Sequence, residues 1–203
     1  MKRKHFLSLV LFLILSTSCS PQKSNASLMI IKPYEISEKE LDISQTFPVP
    51  QGNIHFYEVS LLNKQDEVHT TLEYYQHGEK IKDIAWLSSA HFQEKTIKLS
   101  FAFNFNNETP KVREWFMNIE GSSYKGFEEL SLNITDSSFA QINEPKKIKY
   151  NTKVPLAVWV NNLNPESTSV FFPENKKILE QLIQKNEHVY LYSVEIKGVD
   201  ALQ

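Results

Sequence analysis

A strict alternation of side chains near the middle of the chain constrains its fold more than any other feature of the sequence. Ile97 and every second residue as far as Phe105 are apolar, whereas the residues between them, from Lys98 to Asn104, are polar or small. Side chains of a β-strand point alternately to its two faces. This period of two therefore predicts a strand with one buried face.

Similar strand signals recur along the chain, where short runs rich in β-branched and aromatic residues are bounded by Pro, Gly, Asn or Asp. A hairpin turn is predicted at His77, Gly78 and Glu79, between two such runs. The predicted strands cover residues 28–31, 54–62, 68–76, 80–87, 97–105, 112–119, 130–135, 148–151, 154–161 and 188–197.

One helix is predicted from about Glu174 to Lys185, because Pro173 suits a helix start and apolar residues recur on one face. The apolar stripe, which we expect to cover an open end of the β-structure, consists of Ile178, Leu179, Leu182 and Ile183. Many short strands with one late helix predict a mainly β fold, either an antiparallel β-sandwich or a barrel-like domain.

Composition excludes several classes of protein. A chain of 203 residues is long enough for one sizeable core and rather short for two. Its aromatic content of 12% argues against a disordered protein, and its net charge of -2 argues against a nucleic-acid binder. With Cys19 as its single cysteine the chain has no internal disulfide, so packing of the core must supply the stability.

Residues 1–18 have the organisation of a signal peptide. Lys2, Arg3 and Lys4 form a positive start, and residues 6–15 are apolar apart from one serine. Ten helical residues reach about 15 Å, half the hydrocarbon core of a bilayer, so this run predicts a signal sequence and not a membrane span. Small residues follow, and Cys19 comes directly after them.

A lone cysteine in this place resembles the lipobox of bacterial lipoproteins. The resemblance implies that the peptide is cut before Cys19, that the thiol receives a diacylglyceryl group, and that the new amine is acylated by a chain such as palmitate. The sequence departs from the family pattern at Ser16, where leucine is usual. The alternative is an ordinary secretory signal cut near Ser18, with Cys19 as a free thiol. Both place the remaining chain outside the cytoplasm.

The expected organisation is a lipoprotein signal peptide (1–18), a lipid-anchored tether (19–27) and a single β-rich extracytoplasmic domain (28–203). Removal of the signal leaves 19 basic and 24 acidic residues, a net charge of -5. Such a domain is mildly repelled by anionic headgroups, so the lipid on Cys19 would hold it at the cell membrane. Segments 72–82, 156–159 and 189–196 resemble small lipoproteins of Bacillus-like Gram-positive bacteria, which implies location and fold only.

No metal, cofactor or catalytic motif is predicted. His69 and His77 share a strand face with Glu73, but strand geometry separates the two histidines by about 26 Å, too far to bind one ion. Ser88 and Ser89 precede His91 closely, yet closeness in sequence does not predict a triad. Nothing in the sequence shows convergence of the acids that could work as a pair, which are Asp66, Glu67, Asp83, Glu128 and Glu129.

The aromatic residues offer a candidate binding surface. Tyr75, Trp86, Trp115 and Trp159 could form a stacking platform for sugars, although aromatic side chains at alternate strand positions more often pack in a core. Tyr75 is the expected exposed member of the adjacent pair Tyr74 and Tyr75, which point to opposite faces.

Three hypotheses for the function remain. The first is a non-enzymatic, lipid-anchored binding module for a protein or another component of the cell envelope. The second is a module that binds a carbohydrate or small ligand through surface aromatics. The third is an envelope hydrolase without a recognisable motif, and the absence of catalytic motifs favours a protein that is not an enzyme.

Overall fold

The computed structural model describes residues 28–37, 54–105, 112–129, 136–162 and 170–199. The signal peptide, Cys19, the tether and the strand predicted at 130–135 lie outside these ranges. The elements are β1 (Met29–Pro33), β2 (Ile54–Ser60), β3 (Glu67–Gln76), β4 (Glu79–Ser89), β5 (Thr96–Phe105), β6 (Val112–Ile119), β7 (Ser122–Glu129), β8 (Asp136–Gln141), β9 (Lys146–Ile148), β10 (Val154–Asn162), α1 (Lys176–Lys185) and β11 (His188–Lys197).

The strands form two antiparallel sheets that pack face to face, which confirms the predicted mainly β, sandwich-like fold. One sheet has six strands in the order β7-β6-β5-β2-β1-β9, and the other has five in the order β4-β3-β11-β10-β8. The sheets are not a closed barrel. Lys82 of β4 contacts Glu128 of β7 at 3.1 Å and so joins the neighbouring edges of the two sheets.

The main core lies between the sheets. On β5, Ile97 and the next three alternate residues as far as Phe103 are buried in it, which confirms the alternation predicted there. On β3, Val68, Thr70 and Leu72 share the inner face and are all buried. Full burial of a large apolar side chain stabilises the fold by about 1.5–3 kcal/mol relative to its exposure.

Helix α1 packs on the outer face of the five-stranded sheet. Ile183 joins Val158, Val160, Val189 and Leu191 in a second apolar cluster there. The prediction that the helix would cover an open end of the sandwich is therefore wrong: β10 and β11 carry apolar residues on both faces, and their second face needs a cover. The helix begins where Asn175 Oδ1 accepts a hydrogen bond from the Ile178 amide at 3.1 Å.

The sandwich has an entry end and a distal end. The entry end is the one at which β1 begins, since Ile30 lies opposite Ser60 in the register of β1 and β2. The distal end is the opposite one, which includes Ile54 of β2 and Val112 of β6. Ile54 and Ser60 are six positions apart on β2, or about 20 Å along the strand.

Other departures from the predicted elements are local. Strand β7 was not predicted, because a run with two serines, a lysine and Gly126 carries little strand signal. The strand predicted at 148–151 instead ends at Ile148, since Asn151 has a φ of 55° that belongs to a turn. In the ranges described, no helix is long and apolar enough to span a bilayer.

Candidate functional site

The four predicted aromatic residues do not come together on a surface. Trp115 and Trp159 are 0% and 3% exposed, and their rings meet edge to face at 5.6 Å inside the core. Both lie on the inward faces of their strands, so the prediction that they belong to a binding platform is wrong. An inward tryptophan between two packed sheets has no path to a ligand on the outside.

Tyr75 and Trp86 do lie on an outer surface, that of the five-stranded sheet. Tyr75 packs against the α1 cluster, and its hydroxyl donates to Glu73 Oε2 at 3.4 Å, so it supports the helix. Trp86 is 67% exposed opposite Thr71 on β3. Of the four residues of the predicted platform, only Trp86 is largely exposed. A single exposed aromatic side chain does not make a stacking surface.

A concavity lies on the other side of the molecule. It is a groove of about 250 Å³ on the outer face of the six-stranded sheet, formed by β2, β5, β6 and β7. No described element packs over this face, whereas α1 covers part of the outer face of the opposite sheet. The residues that line the groove are Ile54, Phe56, Ser100, Ala102, Phe116, Met117, Asn118, Ser123, Tyr124 and Lys125.

Strand register arranges these side chains in two parallel rows across the sheet. The apolar row consists of Ile54, Ala102 and Phe116, which are paired neighbours on β2, β5 and β6. The polar row begins at Phe56 on β2 and continues through Ser100, Asn118 and Ser123 on the next three strands. Because adjacent strands lie about 4.8 Å apart, each row offers one side chain at that spacing.

Lys125 closes the apolar row on β7, opposite Phe116. Its Nζ lies 5.0 Å from the ring centre of Phe116 and 5.1 Å from that of Phe127, and 3.5 Å from Glu114 Oε1. A cation over an exposed aromatic ring contributes about 0.5–1 kcal/mol. The lysine charge is therefore compensated by Glu114 while its stem covers apolar surface.

The groove combines apolar side chains with hydrogen-bonding groups. Aromatic and aliphatic side chains supply a surface that gains from losing water, and hydroxyl and amide groups supply both hydrogen-bond donors and acceptors. An apolar concavity on a sheet face, rimmed by polar groups, is typical of an interaction site.

A second cluster, buried near the distal end, combines charges with aromatic rings. Arg113 is 1% exposed, and its guanidinium lies 4.9 Å from the ring centre of Trp159 and 4.7 Å from that of Tyr190. Burial lowers the pKa of Arg113 below its usual value, and the charge of Glu128 opposes this shift. Burial likewise raises the pKa of Tyr190 well above its usual range.

The histidine of this cluster is held by a tyrosine. The Tyr74 hydroxyl lies 2.7 Å from Nδ1 of His188, and burial lowers the pKa of His188. The imidazole is therefore neutral at neutral pH. These contacts, together with the Lys82–Glu128 pair, bind β3, β4, β7 and β11 to one another and stabilise this end of the sandwich.

Asp66 and Asp83, two of the acids considered for catalysis, hold structural partners. The Tyr150 hydroxyl donates to both carboxylate oxygens of Asp66 at 3.0 Å, and Asp83 contacts Lys80 at 2.7 Å. His91, which follows Ser88 and Ser89, is exposed in the connection after β4. Over the residues with a described position, no three His, Cys, Asp or Glu side chains gather closely enough to hold a metal ion.

The groove was missed in the sequence, although a signal for it exists. On β2, Tyr57 and Val59 already supply a buried face, and Ile54 and Phe56 make the other face apolar as well. A strand that is apolar on both faces needs a cover on each. No described element supplies the second cover, so the apolar residues on the outer face of β2 are the signal in the sequence that points to the groove.

A comparison with models of protein families assigns the chain to a family. A model described as the YgaN domain matches residues 30–196. The chain belongs to the YgaN domain family. The match runs from the second residue of β1 to the penultimate residue of β11, so the family covers both sheets, α1, the groove and the distal cluster. No curated protein and no solved structure matches this YgaN chain.

Proposed function

We propose that this YgaN protein is a non-enzymatic binding module, anchored by lipid to the extracytoplasmic face of the cell membrane, that holds an envelope component in the groove of the six-stranded sheet. The observation that carries the proposal is the groove itself. Its apolar floor and polar row stand in register on four strands, on a face that no described element covers.

The apolar side chains of the groove support a binding surface over an ordinary solvent-exposed sheet face. An outer sheet face with no other role is expected to be polar, since exposed apolar side chains contribute little to folding. Here Ile54, Phe56, Phe116 and Phe127 all point outward, and Phe127 is 64% exposed. Burial of such area by a partner stabilises a complex by about 25 cal/mol per Å² before the costs of association.

Support for the anchor comes from the N-terminal sequence. Cys19 follows a short apolar run and three small residues, where an acyl-accepting cysteine is expected. Ten residues connect Cys19 to Met29, a length of chain that reaches at most about 35 Å. An anchored YgaN domain would therefore stay close to the bilayer with its entry end nearest to it.

The groove is tested by photo-crosslinking in intact cells. A benzoylphenylalanine at Ser123, which lines the groove, should capture an envelope component, and the same group at Trp86 on the opposite sheet is the matched control. Phe116→Ala should abolish the capture from position 123. Equal capture from both positions, or none from position 123, would contradict the groove as the binding surface.

The anchor is tested separately by cell fractionation. Wild type should sediment with membranes, and Cys19→Ala should appear in the soluble extracytoplasmic fraction. A soluble wild-type pool of the same size as that of Cys19→Ala would show that Cys19 does not anchor the protein to the membrane.

A further inference from the structure

We propose that the ligand of the groove is a neutral saccharide, with the C–H face of one sugar ring on Phe116 and its hydroxyl edge along Ser100, Asn118 and Ser123. This inference rests on the proposed function, because it names the ligand class of the same site. It follows from the pairing of the two rows, from their charge and from the position of the groove on the domain.

The two rows together select a ligand with two unlike edges. A sugar ring carries axial C–H groups on its faces and hydroxyl groups around its rim, and each hydroxyl both donates and accepts. The apolar row of Ile54, Ala102 and Phe116 matches the C–H groups of a ring face. The polar row matches the hydroxyl groups of the ring edge. Aromatic rings beside hydroxyl and amide groups thus satisfy both parts of the ligand at once.

Other ligand classes satisfy only one row. A purely aliphatic chain would remove water from Ser100, Asn118 and Ser123 without replacing their hydrogen bonds, and unmade bonds of buried polar groups weaken binding. A small inorganic anion would leave Phe56 and Phe116 in water. The groove therefore discriminates against both.

Charge favours a neutral ligand over an anionic one. Lys125 is the one cationic side chain among the described residues that line the groove, and Glu114 Oε1 lies 3.5 Å from its Nζ. An anionic sugar would have to compete with Glu114 for this cation. Asn118 and the two serines carry no charge and hydrogen-bond neutral hydroxyls without such competition.

The size of the groove fits one ring. Its volume of about 250 Å³ lies just below the range of about 300–1,000 Å³ for pockets that enclose drug-sized ligands. One ring of a longer chain can occupy it while neighbouring rings continue across the open sheet face. A folded protein partner needs a contact of about 800 Å² per side, which the ten residues lining the groove would supply only together with neighbouring surface.

The position of the groove indicates where the saccharide comes from. The apolar row begins at Ile54, at the distal end of β2, about 20 Å along the strand from the level at which β1 begins. Towards the entry end the same face carries the pairs Lys32–Glu58 and Lys98–Tyr34. A domain tethered at its entry end presents the groove away from the bilayer, towards glycans of the envelope and not towards lipid.

The test uses the processed, lipidated protein in nanodiscs. The probes are three neutral trisaccharides (cellotriose, maltotriose and triacetylchitotriose) and anionic trigalacturonic acid, measured by calorimetry and by saturation-transfer NMR. At least one neutral trisaccharide should bind, with saturation strongest on ring C–H protons. Phe116→Ala and Asn118→Ala should each raise Kd at least tenfold, and Trp86→Ala should leave it within twofold.

The failures of the two proposals are distinguishable. Specific capture at position 123 in cells, with no binding of any neutral trisaccharide, would overturn the saccharide and leave the binding module standing. Binding of trigalacturonic acid alone, lost in Lys125→Gln, would overturn the neutral class. No capture and no trisaccharide binding would overturn both, provided that the melting temperatures of the variants show that each is folded.

Discussion

His55 on β2 makes the stability of this domain depend on pH in a defined direction. Its ring stacks on Phe139 with ring centres 4.2 Å apart, and its Nε2 is buried. Burial lowers the pKa of His55 to about 4, and a hydrogen bond with Gln141 only partly opposes this. The folded state therefore keeps His55 neutral at pH values at which the unfolded chain takes up a proton.

The sign and size of the effect follow from the two pKa values. The unfolded pKa is 6.5, so the stability is full above that value and falls as the pH decreases towards about 4. One pKa unit corresponds to about 1.4 kcal/mol, which gives a loss of about 2 kcal/mol at pH 5 and about 3.4 kcal/mol once both states are protonated. For a domain of this size, 2 kcal/mol lowers Tm by about 4–8 °C.

The measurement is urea unfolding of wild type and His55→Phe at pH 7.5 and pH 5. Phenylalanine keeps a ring against Phe139, and Gln141 still accepts from the Tyr57 hydroxyl at 3.0 Å. The pKa of His188 is also lowered by burial, but its contribution is common to both proteins and cancels in the comparison. Wild type should lose about 2 kcal/mol more than His55→Phe between the two pH values. Equal losses would refute the assignment of a lowered pKa to this residue.

Three further changes test the packing. Trp115→Ala should lower the free energy of unfolding by about 3–5 kcal/mol because it leaves a cavity in the core. The control Trp86→Ala should change the free energy of unfolding by less than about 0.5 kcal/mol. Similar losses for the two variants in urea unfolding would mean that Trp115 is not buried as described. Glu128→Gln should lower the free energy of unfolding by about 3 kcal/mol in wild type, because the buried Arg113 then loses part of its compensating charge. In the Arg113→Met background the same change should cost less than half as much. Equal costs in this double-mutant cycle would exclude coupling between Glu128 and Arg113. Asn175→Ala should cost about 1 kcal/mol through loss of the helix cap, and an unchanged urea midpoint would show that the cap does not stabilise the helix.

The strands could be predicted wherever β-branched and aromatic residues recur between turn residues, whether one face of the strand is apolar, as on β5, or both are, as on β11. β6 and β11 have the predicted bounds. β7 could not be predicted, since its inward positions include Gly126, whose lack of a side chain makes room for the Tyr124 ring. The amphipathic stripe of α1 showed that one face is buried, but a stripe does not say which surface it meets.

The candidate site could not be predicted for a related reason. Hydropathy along one strand tells which side chains share a face, and the identity of a residue tells its preference for burial; neither tells which strands are neighbours. Ser100 was expected on a solvent-exposed face, and it does lie there, but its neighbours Phe56 and Asn118 come from strands more than 40 and nearly 20 positions away. The groove exists only through the register of β2, β5 and β6.

The same reasoning explains why the aromatic platform was wrong and where aromatic residues do reach the surface. Tryptophan gains most from burial, so Trp115 and Trp159 fill the space between the sheets, where the area available for burial is largest. Phe56 and Phe116 have no such role, because the inward faces of their own strands are already filled. On β10 and β11 the apolar residues beyond those of the main core are covered by α1. On β2 and β6 the corresponding residues Ile54, Phe56 and Phe116 line the groove, where no described element covers them.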